Sequence, residues 1–193
     1  EYGHKRQNQY TVADYFALPD DQRAELIDGV FYDMATPLFV HQDILGYVFA
    51  EIYHYIRAHR GSCKVIASPS AVQLCCDDKT MVEPDLYIVC DQTKVRRFGI
   101  YGAPDFVLEI LSQSTRKKDM TIKLYKYCEA GVKEYWLIDP VKQVLITYDF
   151  TDPEYLPKVT ALQGEAGISL YKGELKISLS EIAQIIREAE ERE

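Results

Sequence analysis

The sequence has 193 residues, of which 47% are hydrophobic and 27% are charged. This composition is typical of a globular protein and excludes a disordered chain, a collagen-like fibre and a coiled coil. The net charge of −8 disfavours a general nucleic-acid coat protein, because such proteins bind phosphates through clustered Lys and Arg, but it leaves room for a local basic site. We therefore expect one domain over residues 1–193, with residues 1–9 as a loose N-terminal segment.

The N-terminal part of the chain is predicted to contain a short helix, a hairpin and a long helix. Thr11 and Asp14 have the spacing of a capping box, and Pro19 ends the short helix that they begin. Asp28-Gly29 lies between two β-prone runs, which is typical of a hairpin turn. Residues 41–60 predict a helix of about five turns, because apolar side chains recur at helical spacing. Its buried side is predicted to carry Ile44, Leu45, Val48, Phe49, Ile52 and Ile56.

From Cys63 onward the pattern is mainly that of β-strands. Residues 64–67 and 71–75 are predicted to form a hairpin around a Ser-Pro-Ser break. The apolar runs 86–90 and 106–111 predict strands that are covered on both faces. The remaining predicted elements are a helix at 114–130, strands at 132–138 and 144–150, further strands to about 177, and a final helix beginning at Ser178. These elements predict one α/β domain whose strands cluster in the middle of the chain.

Several features predict a cytoplasmic protein with no membrane-spanning segment. The longest clean apolar run, 44–50, has seven residues, whereas a bilayer span needs about 20. The first ten residues are polar and do not resemble a signal peptide. The five cysteines include no Cys-x-x-Cys pair, and we interpret them as buried, reduced thiols.

Three carboxylates lie in apolar surroundings, where an ionised acid is costly. Glu109 is inside the run FVLEIL, Asp85 opens LYIV directly after Pro84, and Glu25 opens LI ahead of the hairpin turn. A buried carboxylate is destabilising by several kcal/mol unless a cation pairs with it. Each acid is therefore predicted to meet a lysine or a metal ion.

The helix at 114–130 offers a lysine for this purpose. Lys123 borders the apolar side of the helix and could reach Glu109, whereas Lys126 lies about 135° from the centre of that side and is predicted to face solvent. Two strand acids beside a lysine could hold Mg²⁺ and a water, because carboxylates bind hard cations and an ammonium group can orient a nucleophile. From the pattern alone, a structural ion pair is the commoner arrangement, and this alternative stays open.

Four stretches carry a more specific pattern. They are ELIDG at 25–29, PDL at 84–86, FVLEILSQST at 106–115 and GVKEYWLIDP at 131–140. Together with Asp119, Lys123 and Tyr127, and in this order, they resemble the Uma-type restriction endonuclease family of the PD-(D/E)XK nuclease superfamily. The resemblance implies a restriction-endonuclease-like fold, with a mixed β-sheet flanked by α-helices, and a Mg²⁺-dependent phosphodiesterase site.

The resemblance also implies roles for individual residues. Asp85 resembles the Asp of the "PD" motif and Glu109 the acid of the second motif, and both would be metal ligands. Leu111 stands where the superfamily pattern has a lysine, so the resemblance implies that Lys123 replaces it, with Lys117 as the rival.

Two further positions come from the same comparison of motifs. Glu25 resembles an acid that approaches the metal from the N-terminal element and would bind it through water or tune it. His41 is either a site residue of the family or an ordinary histidine near a helix end.

Two basic clusters are candidate nucleic-acid contacts. Arg96 and Arg97 lie between the two proposed metal ligands in sequence, and Arg116 and Lys117 follow Glu109 closely. Both clusters are expected near the ion, where they could hold flanking phosphates. Ordinary solvated loop charge is the alternative.

The favoured hypothesis is a DNA endonuclease that hydrolyses phosphodiester bonds with a water activated by Mg²⁺ or Mn²⁺. The resemblance also suggests a homo-oligomer, with a dimer expected. One alternative is a catalytically silent nuclease-fold module for nucleic-acid binding or assembly, which Leu111 and the net charge of −8 favour. The other is a metal-dependent hydrolase of a small phosphorylated substrate.

Overall fold

The computed structural model describes residues 6–192. The predicted loose segment 1–9 lies partly outside this range. Its described part contains a turn, in which the Gln9 amide donates to the Arg6 carbonyl oxygen (3.2 Å).

The helices are close to the predicted positions. A π-helical turn, Asp119–Lys123, joins the helical segments Arg116–Lys118 and Leu124–Ala130. The predicted capping box is present at the start of the first helix, where the Thr11 side chain accepts from the Asp14 amide and the Asp14 carboxylate accepts from the Thr11 amide. The α-helices are α1 (Val12–Phe16), α2 (Phe39–Ala58), α3 (Arg116–Lys118), α4 (Leu124–Ala130) and α5 (Leu179–Glu190).

The strands form one large sheet and three smaller ones. Their bounds are β1 (Ala24–Ile27), β2 (Val30–Asp33), β3 (Lys64–Ala67), β4 (Ala71–Gln73), β5 (Leu86–Val89), β6 (Val95–Arg96), β7 (Gly99–Tyr101), β8 (Phe106–Ile110), β9 (Glu134–Asp139), β10 (Val144–Asp149), β11 (Lys158–Ala161), β12 (Glu165–Gly167) and β13 (Lys176–Ser178). The six-stranded sheet has the order β11-β10-β9-β8-β5-β3. β8 and β9 are parallel, and the other neighbours are antiparallel, so the sheet is mixed as predicted.

Two apolar layers cover the sheet. On one face, α2 and α5 pack against Phe106, Leu108 and Ile110 of β8. On the other face, Val107 packs with Tyr127 of α4 and Ile27 of β1. Because side chains alternate along a strand, Glu109 shares the second face with Val107. An acid in the middle of the sheet is thereby directed towards α4.

The predicted hairpin between 64–67 and 71–75 is wrong. β3 pairs with β5 in the large sheet, whereas β4 pairs in parallel with β7 in a separate sheet. The two segments bury their apolar side chains in different places, since Val65 packs beneath α2 and Val72 packs on the opposite face. Long-range burial therefore overrides the local turn signal.

The prediction of five reduced cysteines is also wrong, because Cys63 and Cys90 form a disulfide. These residues lie just beyond the paired positions Lys64 and Val89 of β3 and β5. Strand pairing therefore brings together two cysteines that are 27 residues apart, which their spacing alone does not reveal. Cys75, Cys76 and Cys128 are free.

Within residues 6–192, no helix combines the length and apolarity that crossing a membrane requires.

Candidate functional site

The large sheet brings the two predicted metal ligands side by side. Leu86 of β5 is paired with Leu108 of β8 in antiparallel register, so Asp85 lies next to Glu109. The Asp85 amide donates to Glu109 Oε2 (3.3 Å), and the Ile110 amide donates to Asp85 Oδ2 (2.7 Å). The two carboxylates therefore sit at adjacent positions on the sheet, although they are 24 residues apart in sequence.

His41 holds Asp85 from the other side. It lies in the first turn of α2, and its Nε2 is 3.1 Å from Asp85 Oδ2. Burial alone would lower the pKa of His41, but the hydrogen bond and the negative charge of Asp85 raise it above the ordinary value. Asp85 is thus oriented by one backbone amide and one imidazole.

Lys123 lies at the centre of the acidic cluster. Its Nζ is 2.5 Å from Glu109 Oε1, 2.8 Å from Glu25 Oε1 and 3.7 Å from Asp119 Oδ1. Burial alone would lower the pKa of Lys123, but the surrounding carboxylates raise it well above the ordinary value. The buried amine is therefore held in its ammonium form.

Glu25 connects this lysine to a second one. Its Oε2 is 2.5 Å from Lys118 Nζ, and its Oε1 also accepts from the Glu83 amide (3.0 Å). Burial alone would raise the pKa of Glu25, but the two ammonium groups lower it to about 2. Glu25 is accordingly a fully ionised anchor for both lysines.

Glu109 is less well compensated than Glu25. Burial raises its pKa well above the ordinary range, the charges of Asp119, Asp85 and Glu25 raise it further, and Lys123 opposes them. The buried Tyr127 hydroxyl donates to Glu109 Oε1 (2.7 Å). Burial and the nearby carboxylates raise the pKa of Tyr127 well above its ordinary value, so this hydroxyl keeps its proton.

The side chains around Glu109 fit a divalent cation. The carboxylates of Glu25, Glu109 and Asp119 surround the Lys123 ammonium group, Lys118 pairs with Glu25, and Asp85 pairs with His41. Burial, together with the negative charges of Asp119, Asp85 and Glu25, raises the pKa of Glu109, and a cation beside Asp85 and Glu109 would stabilise its ionised form.

The number of protein ligands is small but sufficient for magnesium. Across residues 6–192, no three or more His, Cys, Asp or Glu side chains form a ready-made metal cage. Mg²⁺ keeps several waters and usually binds through one or two carboxylates together with substrate phosphates, so the pair Asp85 and Glu109 matches its preference.

The cluster opens into a pocket of about 620 Å³. Asp85, Glu109 and Lys123 lie among its lining residues. The walls come from the segment before α2 and from the loop between β8 and α3, with Pro140 and Val141 on the turn after β9. A ligand in this pocket would reach both predicted metal ligands and the lysine.

The contacts of the two candidate catalytic lysines, Lys123 and Lys117, are different. Lys123 contacts Glu109, whereas Lys117 is exposed to solvent and does not line the pocket. Arg116 is ion-paired with Asp139 (Nη2 to Oδ2, 2.5 Å).

The other predicted basic cluster is outside the pocket. Arg96 and Arg97 are not among the residues lining it. Arg96 donates to the carbonyl oxygens of Thr93 and Val95 and lies over the Tyr101 ring. The two basic clusters are therefore not brought together around the acids.

Sequence reasoning missed Lys118 as a site residue. Its place in the run Arg116-Lys117-Lys118 is typical of a phosphate contact or of solvated loop charge, yet its side chain reaches Glu25. Asp119 and Tyr127 belong to the recognised pattern, but no role was predicted for them. Their signal is the helical spacing from Lys123, at which Asp119 is four residues before and Tyr127 four after.

Comparisons with known proteins confirm the resemblance and the fold class. A family model described as "Uma2: Putative restriction endonuclease" matches residues 12–180. No curated protein matches the chain in sequence. Among solved structures, the chain is similar to "a putative nuclease belonging to DUF820" from Anabaena variabilis ATCC 29413, with a TM-score of 0.75 and 20% identity. The match covers 91% of this chain and 98% of that chain, and at this identity it shows the fold.

Proposed function

Because the chain belongs to the family described as "Uma2: Putative restriction endonuclease", we propose that it is a Mg²⁺-dependent DNA endonuclease. The family supports a nuclease in general terms. The metal, the DNA substrate and the roles of individual residues are the proposal.

The convergence of Asp85, Glu109 and Lys123 carries this proposal. The Asp85 amide is 3.3 Å from Glu109 Oε2, and the Lys123 ammonium is 2.5 Å from Glu109 Oε1. These groups meet beneath a pocket that is open to a ligand. Two hard oxygen donors beside a fixed ammonium group suit a reaction at a phosphate, where negative charge must be neutralised.

Asp85 and Glu109 would hold the ion. When bound, Mg²⁺ supplies positive charge to the phosphate and lowers the pKa of water. His41 and the Ile110 amide fix the orientation of Asp85, and the Tyr127 hydroxyl fixes Glu109. These contacts hold the donors in place before a ligand arrives, which avoids reorganisation during the reaction.

Lys123 would orient the attacking water or stabilise charge on the phosphate. Glu25 would act as a positioning residue. Its carboxylate binds the ammonium groups of Lys123 and Lys118 and the Glu83 amide, and none of these described contacts is with Asp85 or Glu109. In the hydrolysis, a water oxygen bonds to phosphorus while one ester P–O bond breaks. The attacking water gives up a proton to solvent, and the departing alkoxide oxygen takes one from solvent to leave as an alcohol.

Cleavage of supercoiled plasmid in the presence of Mg²⁺ or Mn²⁺ tests the proposal. Asp85→Asn and Glu109→Gln should each reduce the rate by at least about 100-fold, since even residues that only support a metal ligand contribute about 10–100-fold. Glu188→Gln, an exposed carboxylate on α5, is the matched control and should cut at the wild-type rate. If wild type fails to cut plasmid, linear DNA and oligonucleotides with either metal, the proposed activity is wrong.

A catalytically silent nucleic-acid-binding module is the second candidate. The specific observation in its favour is the direct ion pair between Lys123 and Glu109, which partly satisfies the acid without a metal. Calorimetric titration with Mg²⁺ separates the two candidates. Binding that Asp85→Asn abolishes favours the endonuclease, and absence of binding to the wild type favours the silent module.

A further inference from the structure

One buried carboxylate oxygen in the pocket has no hydrogen-bond partner. Asp119 lines the pocket and is 2% exposed, and among the described residues none donates a hydrogen bond to its Oδ1. The carbonyl oxygen of the same residue accepts from the buried Tyr135 hydroxyl (3.1 Å), which fixes the backbone at this point. Buried polar atoms are nearly always paired, so an unpaired one at a binding site calls for a functional explanation.

The cation beside this oxygen is bound to other acids. Lys123 Nζ lies 3.7 Å from Asp119 Oδ1, which is beyond hydrogen-bond distance, and it is closer to Glu25 (2.8 Å) and Glu109 (2.5 Å). An ammonium group has three donors, and these two carboxylates use two of them. Burial raises the pKa of Asp119, and the charge of Lys123 only partly opposes this effect. Asp119 therefore offers Lys123 an acceptor that is not used in this arrangement.

The ion pair between Lys123 and Glu109 conflicts with the binding of a metal ion by Glu109. A divalent cation on this carboxylate would repel an ammonium group that lies 2.5 Å from one of its oxygens. The ammonium has to move away, but Lys123 is 2% exposed and is anchored by Glu25. A shift of roughly 1 Å towards Asp119 Oδ1 would bring it within hydrogen-bond distance of the unpaired oxygen.

We propose that Asp119 is the positioning residue that accepts the Lys123 ammonium when Glu109 binds a cation. This inference rests on the proposed metal-dependent function and assigns a role to Asp119. Because Asp119 lines the pocket, the ammonium would stay beside a bound ligand after it leaves Glu109. Direct ligation of the ion by Asp119 is the alternative. Within residues 6–192, no three His, Cys, Asp or Glu side chains are arranged to hold one ion, so Asp119 does not complete a site with Asp85 and Glu109.

Calorimetric titration with Mg²⁺ measures the effect of Asp119 on the metal site without any cleavage. Asp119→Asn should raise the Kd for Mg²⁺ about 10-fold, because an ammonium group binds a carboxylate more strongly than a neutral amide. Glu83→Gln is the matched control. It also removes one negative charge from the pocket lining, but Glu83 pairs with Arg23 and Tyr15 and not with Lys123. This variant should change the Kd by less than about 3-fold, since charges that are not in contact are screened.

A double-mutant cycle separates an effect through Lys123 from a direct one. In Lys123→Met, no ammonium competes for Glu109, so adding Asp119→Asn should change the Kd by less than about 2-fold. If Asp119 bound the ion itself, or attracted it only by charge, the loss of affinity would persist in this background. A merely structural role would instead lower the metal-free urea midpoint of Asp119→Asn and leave the Kd unchanged. If Lys123→Met does not fold, the comparison of Asp119→Asn with Glu83→Gln decides alone.

The possible failures can be told apart. The role of Asp119 is overturned if Asp119→Asn binds Mg²⁺ like Glu83→Gln, or if its loss of affinity persists in Lys123→Met. Cleavage of plasmid by the wild type would then still support the endonuclease. Binding of Mg²⁺ that depends on Asp119 through Lys123, without cleavage of any DNA, supports the role of Asp119 and removes the proposed activity. If the wild type does not bind Mg²⁺, both proposals are wrong.

Discussion

Lys118 and Lys123 are five residues apart, yet their ammonium groups contact the two oxygens of one carboxylate, that of Glu25 (2.5 and 2.8 Å). In a regular α-helix, five steps of about 100° would separate the two side chains by about 140°. The π-helical turn Asp119–Lys123 accommodates one extra residue, which brings them to nearly the same face. The π-helical turn therefore places both ammonium groups, which form the cationic side of the site, against Glu25.

The two lysines should contribute unequally to stability. Lys123→Met leaves the buried carboxylates of Glu25 and Glu109 without their shared cation and should lower the free energy of unfolding by about 3–5 kcal/mol. Lys118→Met should lower the free energy of unfolding by less, because Glu25 still has its ion pair with Lys123. Urea denaturation measures both, with the exposed neighbour Lys117→Met as the control. Equal stability of the Lys123 and Lys117 variants would contradict a central role for the buried ammonium.

Mg²⁺ should stabilise the native protein if Asp85 and Glu109 bind it. At 100 times the dissociation constant, a ligand of the native state adds about 2.7 kcal/mol, which corresponds to a rise in Tm of about 5–10 °C for a chain of this size. The rise should disappear in Asp85→Asn and Glu109→Gln and persist in Glu188→Gln. Differential scanning calorimetry with and without the metal decides this, and an equal rise in all four proteins would place the ion elsewhere.

The sequence was sufficient to predict the acidic centre of the site. Glu109 interrupts an apolar strand, and Asp85 directly precedes β5, the neighbouring strand in the sheet, so both acids were predicted to need a compensating cation. The family motifs then identified both positions correctly as neighbours. The structure shows that the two acids are neighbours, and their role as metal ligands stays a prediction.

The cationic side was harder to predict because it depends on irregular and long-range structure. Helical spacing placed Lys126 in solvent, but it is buried and pairs with Asp28 (2.7 Å) in the turn of the β1–β2 hairpin. Similarly, Lys118 reaches Glu25 only through the π-helical turn. The sequence argument assumes a regular α-helix that turns by 100° per residue. It therefore misses both the extra residue of the π-helical turn and the β1–β2 hairpin that covers the outer side of the helix.

Glu134 should anchor the C-terminal segment to the large sheet. Its carboxylate accepts hydrogen bonds from Trp136 Nε1 (2.8 Å) and from the amides of Ser169 and Leu170 (both 3.0 Å). In Glu134→Gln, the side-chain NH₂ group would face the amide of Ser169 or of Leu170 in either orientation, and two donors cannot bond to each other. We therefore expect the free energy of unfolding to fall by about 1–3 kcal/mol. Glu165→Gln, which alters an exposed pair with Lys176, should change the unfolding free energy by less than about 0.5 kcal/mol. If urea unfolding gives equal values for both variants, Glu134 does not anchor the segment.

Asp139 should make stability depend on pH in the acidic range. Burial alone would raise its pKa, but the hydrogen bonds from Arg116 and the Lys142 amide outweigh burial and lower the pKa below the ordinary value. A carboxylate whose pKa is lower in the folded than in the unfolded chain contributes its full stability above the unfolded pKa. That contribution is lost as the pH falls through the folded-state pKa.

Asp139→Asn should therefore lower the free energy of unfolding by about 1–3 kcal/mol at pH 7, and by progressively less below about pH 4. Urea denaturation at a series of pH values measures this difference, with the exposed Asp21→Asn as the control. A difference that stays constant down to about pH 2 would show that the charge of Asp139 is not its source.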